Sequence, residues 1–219
     1  NPATQLECAR LYTADKFPPA KDPIWTGERY RHDRIRVAYL SADFHDHATA
    51  YLMAGLFEAH DRARFEISAI SFGPDPPGPM RGRLRPAFDR FLEVRETSER
   101  ETARLLRELE IDIAVDLKGY TAEGRPGIFA HRPAPIQVAY DNHVTTTGLR
   151  AVDVRITDAD VDPPGIADDW YTERLVRLGT GYASHHPPAE APEVSALPAR
   201  RNGHLTFGSV NQVPKLSLP

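Results

Sequence analysis

Short apolar segments alternate with helical segments along most of the chain, and this alternation constrains the fold more than any other feature. The strand-like segments carry β-branched or alternating apolar residues and span residues 35–40, 65–72, 91–94, 111–117, 136–140 and 152–157. Helical spacing of apolar residues occurs between them, at residues 49–60, 80–91, 98–109 and 126–130, although Pro86 limits the second of these. Because such alternation is typical of βαβ units, we predict an α/β fold with a Rossmann-like parallel sheet flanked by helices.

The composition excludes several classes of protein. The 219 residues hold 27 Lys and Arg against 31 Asp and Glu, so no excess of positive charge indicates a nucleic-acid partner. No apolar run approaches the roughly 18 residues of a membrane helix, so we expect no membrane partner. The one cysteine, Cys8, excludes an internal disulfide and a multi-cysteine zinc site. It is also typical of a reducing compartment, and we expect a cytoplasmic location.

Proline-rich stretches divide the chain. We expect five segments, at residues 1–14, 15–34, 35–186, 187–203 and 204–219. The first ends a helix, the second is a proline-broken linker, and the third is the α/β lobe. The fourth is a linker rich in Pro, Ala and Glu, and the fifth opens a second α/β domain with a strand at 204–210. Because the chain starts without Met and stops after that strand, we expect it to be a piece of a longer protein.

The turn after the first strand is one candidate site, because ligands of an open parallel sheet bind outside the carboxyl ends of its strands. It carries Asp43, His45, Asp46 and His47. Imidazole and carboxylate groups suit a divalent metal ion, and a histidine can equally act as a general base or contact a substrate. The turn is also explained as a polar connection in which Asp or His caps the next helix. The spacing leaves all three interpretations open.

The turn after strand 111–117 is a second candidate site. It places a carboxylate, Asp116, at the end of the strand, followed by Gly119, which lets the backbone approach a ligand closely. Thr121 adds a hydroxyl, and backbone N–H groups in such a turn can face an anion, although an ordinary βα turn explains the same residues. No glycine-rich dinucleotide or phosphate-binding motif occurs. Lys215, near the end of the chain, is either a diphosphate ligand or a solvated lysine.

Colinear motifs spread over residues 30–215 resemble the catalytic region of the O-linked N-acetylglucosamine transferase and SPINDLY family. They are Arg36–Phe44 with His47, Asp116–Thr121, Arg132–Gln137, Asp162–Pro164, Tyr171–Glu173, Leu175–Leu178 and Phe207–Lys215. The resemblance implies a GT-B architecture, in which a tetratricopeptide array precedes two Rossmann-like lobes that hold a nucleotide sugar between them. Residues 1–14 would end that array or connect to it, residues 35–186 would form the amino-terminal lobe, and residue 204 would begin the truncated carboxyl-terminal lobe.

The same resemblance implies an inverting enzyme that transfers a sugar from a nucleotide sugar to Ser or Thr hydroxyls of a protein, without a metal or other cofactor. N-acetylglucosamine from UDP-N-acetylglucosamine is favoured over fucose from GDP-fucose. The implied catalytic residues are His47, Asp116 and Lys215. The implied donor-binding residues are Gly119, Thr121, Gln212 and Lys215, and the implied acceptor or sugar-loop residues are Tyr120, Thr146 and Thr147. A lysine beside the departing diphosphate fits the negative charge that develops there.

One loop departs from the family pattern. After its Pro-Ile-Gln strand the family carries an aromatic residue and a Leu-Gly-Tyr-Pro-Gly-Thr loop, whereas residues 140–148 of this chain lack the glycine and proline of that turn but keep a threonine and Gly148. Two alternatives therefore stay open beside the transferase. One is a family member that has lost catalysis and serves as a protein-binding module, and the other is a metal-dependent hydrolase centred on Asp43, His45 and His47. Because most of the second lobe is absent, we expect these 219 residues alone to be inactive.

Overall fold

A seven-stranded parallel sheet dominates the computed structural model, which describes residues 1–140, 145–187 and 191–208. The strands are β1 (Ile35–Ser41), β2 (Phe65–Ser71), β3 (Arg90–Glu93), β4 (Ile113–Asp116), β5 (Ile136–Ala139), β6 (Val154–Asp158) and β7 (Arg174–Leu178). Their order across the sheet is β3-β2-β1-β4-β5-β6-β7. The helices are α1 (Pro2–Lys16), α2 (Ala48–Glu58), α3 (Pro79–Leu84), α4 (Glu99–Glu108), α5 (Gly127–Ala130) and α6 (Pro198–Asn202), with single 3-10 turns at Arg85–Ala87 and Asp168–Trp170.

The predicted fold class is confirmed, since the sheet is parallel and flanked by helices. All six strands predicted between residues 35 and 157 form, and the helix predicted at 98–109 starts with a capping box in which Ser98 and Glu101 exchange hydrogen bonds. The helix predicted at 80–91 is shorter, because Pro86 has no N–H to continue it and residues from Arg90 join β3.

Three features of the carboxyl-terminal part differ from the prediction. Strand β7 is missing from the predicted elements, because its half-buried Arg-Leu-Val-Arg-Leu sequence has neither an apolar run nor strict alternation. The predicted linker 187–203 contains α6, which ends at Gly203 in the left-handed conformation that favours glycine. Residues 204–208 form no strand, and the rest of the strand predicted at 204–210 lies outside the described residues. The chain divides into two compact units, residues 1–186 and 187–219.

Both faces of the sheet are buried, which explains the apolar runs in its strands. Val37 and Tyr39 of β1 point into one core, with Met53 and Phe57 of α2. Neighbouring β1 residues point the other way, into a second core that contains Leu106 of α4 and Ile128 of α5. The sheet is thus fixed from both sides, and its strand-end turns are held in place. Among the described residues, no helix has the length and apolar character to cross a bilayer.

Helix α1 packs closely on the lobe at Gly148. The hydroxyl of Thr13 lies 3.0 Å from the Gly148 carbonyl oxygen. Gly148 has a φ of +69°, and a Cβ there would lie 2.7 Å from the backbone of Ala9. Only glycine fits this position without strain, because other residues rarely adopt that φ and a side chain would overlap the helix. The retained glycine of the altered loop is therefore where α1 meets the lobe.

At the amino ends of the strands, His32 joins two carboxylates. Its Nδ1 lies 3.0 Å from Asp112 Oδ2, and its Nε2 lies 3.0 Å from Glu110 Oε2. Asp112 Oδ2 also accepts the backbone N–H of Arg36 at 2.9 Å. Burial disfavours protonation of the ring, but the two carboxylate hydrogen bonds outweigh it and raise the pKa of His32. The protonated ring therefore fastens the segment before β1 to the segment before β4.

Replacing His32 with Asn is expected to destabilise the lobe more at low pH than at high pH. A group whose pKa is raised on folding adds stability that is fully present below its unfolded pKa and is lost as the pH rises through the folded pKa. The loss in free energy of unfolding should therefore be largest at about pH 5.5 and smaller at about pH 8.5. Denaturant titrations followed by tryptophan fluorescence measure it, because both tryptophans, Trp25 and Trp170, lie in the first unit. His204→Asn, in the second unit, is the control, and a His32 effect independent of pH would contradict the prediction.

Candidate functional site

The turns after β1 and β4 meet at the carboxyl edge of the sheet, because these two strands are neighbours. Lys118 joins them: its Nζ lies 3.0 Å from Oδ1 and 2.8 Å from Oδ2 of Asp43. Both side chains are only 6% exposed. A buried ion pair of this kind is strongly destabilised when one partner is removed, since the other charge is left without compensation. The pair therefore fixes the two turns relative to each other.

Asp116 shapes the second turn from the end of β4. Its Oδ1 accepts the backbone N–H of Lys118 at 2.8 Å and that of Gly119 at 3.0 Å. Gly119 has a φ of +52°, which suits glycine. The Thr121 hydroxyl donates to the Lys118 carbonyl at 2.7 Å. Asp116 and Thr121 thus hold the backbone of this turn, and Asp116 Oδ1 orients the two N–H groups.

His47 is the N-cap of α2. Its Nδ1 accepts the backbone N–H of Thr49 at 3.2 Å and lies 3.4 Å from Asp43 Oδ2. The side chain is 43% exposed. The interpretation of the Asp43–His47 turn as a helix-capping turn is therefore confirmed, and the partial exposure of the His47 side chain is compatible with contact to a substrate. Among the described residues, no three His, Cys, Asp or Glu side chains are grouped as a metal site.

Arg81 of α3 supports the first turn from behind. Its guanidinium is buried, and Nη1 donates to the carbonyl of Phe44 at 3.0 Å. The same group forms ion pairs with Asp75 and Glu93, and its carbon lies 4.8 Å from the centre of the Phe91 ring. A buried cation with two carboxylates and an aromatic face is well compensated. The backbone between Asp43 and His47 is therefore anchored to α3 and β3.

The loop before α3 packs against the same turn through two glycines. A Cβ at Gly73 would overlap the carbonyl of Ala42, and a Cβ at Gly78 would overlap the carboxylate of Asp46. The close approach of the backbones at Gly73 and Ala42 thus depends on the missing side chain, and the lack of a side chain at Gly78 leaves room for the Asp46 carboxylate. The first turn is held on one side by this loop and on the other by Lys118.

Glu173 organises the described end of the altered loop. Its buried carboxylate accepts the backbone N–H of Thr147 at 2.7 Å, the hydroxyl of Thr146 at 2.6 Å and the hydroxyl of Thr147. The Tyr120 hydroxyl donates to the Thr147 carbonyl, and burial raises the pKa of Tyr120. The hydroxyls of Thr146 and Thr147 are therefore bound to Glu173, and the loop backbone is tied to the second turn.

An open cavity of about 590 Å³ separates α1 from the second turn. Its walls include Cys8 and Tyr12 from α1, and Tyr120, Thr121 and Thr146 from the site. The rings of Tyr12 and Tyr120 meet edge to face, with their centres 5.6 Å apart. Helix α1 therefore forms one wall of a space that reaches the candidate site.

The structure brings together most of the residues selected from the sequence. His47, Asp116, Gly119, Tyr120, Thr121, Thr146 and Thr147 all belong to the three turns described above. Gln212 and Lys215 lie outside the described residues. The sequence analysis missed Lys118, Glu173 and Arg81 as parts of the site. No local sequence signal marks the role of Lys118, since its contact with Asp43 depends on β4 lying next to β1 in the sheet.

Replacing Glu173 with Gln is expected to lower the free energy of unfolding by about 1–3 kcal/mol, because an amide NH2 would face groups that themselves donate. Glu96→Gln is the matched control, since Glu96 is exposed. Denaturant titration of both variants at neutral pH, followed by tryptophan fluorescence, measures the difference. Equal stability of the two variants would show that the carboxylate does not hold the loop.

Comparison with known proteins points to a single family. Residues 20–186 match Glycosyl transferase family 41. The chain is 31% identical over 196 residues to a protein from Petunia hybrida named probable UDP-N-acetylglucosamine–peptide N-acetylglucosaminyltransferase SPINDLY, covering 88% of this chain and 21% of that protein. It is also 35% identical over 188 residues to an Arabidopsis thaliana protein named probable UDP-N-acetylglucosamine–peptide N-acetylglucosaminyltransferase SEC. This match covers 81% of this chain and 19% of that protein. The chain thus spans about a fifth of the length of these relatives.

A solved structure agrees with this sequence similarity. A mutant of the Thermobaculum terrenum O-GlcNAc transferase superposes with a TM-score of 0.78 at 32% identity, covering 89% of this chain and 37% of that one. The fold therefore resembles that of an O-GlcNAc transferase, in agreement with the match to Glycosyl transferase family 41.

Proposed function

The chain belongs to glycosyl transferase family 41, and we propose from this premise that it forms the amino-terminal catalytic lobe of an inverting protein O-glycosyltransferase. One observation carries the proposal. An exposed histidine, His47, and the Gly119–Thr121 turn stand at one sheet edge, where Lys118 and Asp43 hold them together. That edge is where a parallel α/β lobe binds its ligands.

The proposed donor is UDP-N-acetylglucosamine, which the names of the relatives specify, and GDP-fucose is the competing donor. The proposed acceptor is a Ser or Thr hydroxyl of a peptide or protein. The hydroxyl oxygen attacks the anomeric carbon, the bond from that carbon to the diphosphate oxygen breaks, and the electron pair leaves with the nucleoside diphosphate. The hydroxyl proton passes to a base or to solvent.

Each site residue has a proposed role in this reaction. His47 contacts the reacting groups through its exposed ring, and Asp116 orients the backbone N–H groups of Lys118 and Gly119 beside the donor. Gly119 and Thr121 border the donor sugar, while Tyr120, Thr146 and Thr147 shape the loop next to it. Gln212 and Lys215 would hold the diphosphate from the second lobe, where Lys215 offsets the developing charge. No metal or other cofactor enters the proposal.

Other parts of the proposal concern the setting of the lobe. Helix α1 would end, or connect to, a tetratricopeptide array, and the working compartment would be the cytoplasm. Neither a nucleic acid nor a membrane is a proposed partner, since the net charge is −4. The second lobe would complete the donor site, so catalysis is expected of the intact parent protein only.

The test is sugar transfer by the intact parent protein, offered UDP-N-acetylglucosamine and GDP-fucose side by side with a Ser- and Thr-containing peptide. Nucleotide release and the mass of the peptide are measured. We expect turnover with UDP-N-acetylglucosamine, and about a 100-fold or greater loss of turnover in His47→Ala and in Lys215→Ala. His131→Asn, on the loop that leads into the amino end of β5, is the control.

Three outcomes count against the proposal in different ways. Turnover of GDP-fucose alone would correct the donor and keep the reaction. Turnover of neither donor by folded protein would replace the proposal with a protein-binding module. Wild-type rates in both His47→Ala and Lys215→Ala would remove the assigned roles.

A further inference from the structure

The ion pair of Lys118 and Asp43 lies next to His47, whose Nδ1 is 3.4 Å from Asp43 Oδ2. We propose that Lys118 is a positioning residue that acts through Asp43 and holds neutral His47 as the tautomer with its proton on Nε2. The tautomer itself follows from contacts within the lobe. What the Nε2–H group does in a reaction rests on the proposed function.

Two neighbours compete for Nδ1 of His47. The backbone N–H of Thr49 lies 3.2 Å from it and needs a lone pair there. Asp43 Oδ2 lies 3.4 Å from it and would need a proton there. A neutral imidazole nitrogen is either a donor or an acceptor, so only one of the two interactions forms at a time. The choice also fixes the other nitrogen, because the single proton of the neutral ring occupies whichever nitrogen is not the acceptor.

Lys118 weakens the interaction that Asp43 could make with a proton on Nδ1 of His47. Its ammonium group lies 2.8 and 3.0 Å from the two carboxylate oxygens and offsets their charge. The Thr49 hydroxyl also lies 3.4 Å from Asp43 Oδ2. Asp43 is thus engaged on both oxygens, at distances shorter than or equal to the 3.4 Å that separates it from the ring.

Helix α2 favours the hydrogen bond from the Thr49 N–H to Nδ1 of His47. His47 has φ −144° and ψ 152°, the extended backbone of an N-cap residue. The first N–H groups of a helix have no partner within the helix, so losing the Nδ1 acceptor would leave the Thr49 N–H without its cap. The remaining charged or ring neighbours do not oppose this arrangement. Asp46 accepts the Tyr51 hydroxyl at 3.0 Å, and the His45 ring centre lies 5.8 Å from that of His47.

The consequence is chemical. With its proton on Nε2, the nitrogen of neutral His47 that does not cap α2 is a hydrogen-bond donor. It can donate to an oxygen of the diphosphate, the sugar or the acceptor, but it cannot take the proton of the acceptor hydroxyl. Under the proposed function, His47 is therefore a contact that stabilises an oxygen, and the general base is a different group.

Nitrogen-15 NMR of the 219-residue chain, labelled at histidine, tests the tautomer directly. Long-range proton–nitrogen spectra distinguish a protonated ring nitrogen from an unprotonated one, and they are recorded at about pH 8.5, above the ordinary pKa of histidine. His47→Asn assigns the His47 signals by their loss and keeps a good N-cap. We expect Nε2 to be protonated and Nδ1 to be unprotonated in the wild-type chain. The opposite pattern would overturn the proposal.

Variants of Lys118 test its role. Lys118→Met removes the ammonium group, and we expect the population with the proton on Nδ1 to rise at least several-fold. Lys118→Gln loses the charge but keeps a donor for Asp43, so it serves if the Met variant fails to fold, and Lys118→Arg should retain the wild-type tautomer. An unchanged tautomer ratio in a folded Met or Gln variant would refute the role of Lys118.

A proline pair tests the role of the helix cap. Thr49→Pro deletes the N–H that Nδ1 accepts, and proline is tolerated in the first turn of a helix, while Thr49→Val deletes only the hydroxyl near Asp43 Oδ2 and so separates the two contributions. We expect this variant to raise the Nδ1-protonated population. Ala48→Pro removes the neighbouring N–H, which is not the one that His47 accepts, and should leave the ratio unchanged. Equal ratios in the two proline variants would contradict the cap argument.

These spectra need no sugar donor, so the two proposals fail separately. An inactive parent protein with the expected spectra would remove the proposed function and leave the tautomer assignment. An active parent protein with His47 protonated on Nδ1 would leave the proposed function and remove the tautomer assignment.

Discussion

The buried contact between Lys118 and Asp43 is the interaction on which the arrangement of the site depends. It joins turns that lie 75 residues apart in sequence but follow neighbouring strands. Removing two charges from water costs several kcal/mol for each ion, and apolar residues of similar volume are often as stable. The pair is therefore poorly explained by stability alone. Its specific effect is geometric, because it sets the spacing of the turns and leaves Nδ1 of His47 to cap α2.

Two other buried charges act on the same edge in a similar way. Arg81 binds the carbonyl of Phe44 in the first turn, and Glu173 binds the Thr147 backbone and two threonine hydroxyls in the loop after β5. Each charge is compensated by several polar partners. Turns at a strand edge lack the regular hydrogen bonds of the sheet, so their conformation depends on partners of this kind. The polar backbone of these turns is therefore bound by side chains from other elements of the lobe.

The sequence predicts local structure well and long-range pairing poorly. Strand β4 and the Ser98 cap of α4 were predictable because an apolar run and a capping box are signals within a few residues. The positions of Asp116 at the end of β4 and of His47 in the turn after β1 follow from the same local pattern. The contact of Glu173 with Thr146 and Thr147 does not, because it requires β7, whose sequence shows no strand signal. Nor does the partner of Lys118, which depends on the order of strands across the sheet.

Helix α1 belongs to the environment of the site through a continuous set of contacts. Thr13 binds the Gly148 carbonyl, and the loop of Gly148 is tied to Tyr120 through the Thr147 carbonyl. The ring of Tyr12 in α1 in turn contacts the ring of Tyr120 edge to face. The altered loop has lost the glycine and proline of the family pattern but keeps Gly148, the residue whose φ and close approach to Ala9 no other side chain permits. At Gly148, the packing of α1 against the loop therefore excludes a side chain.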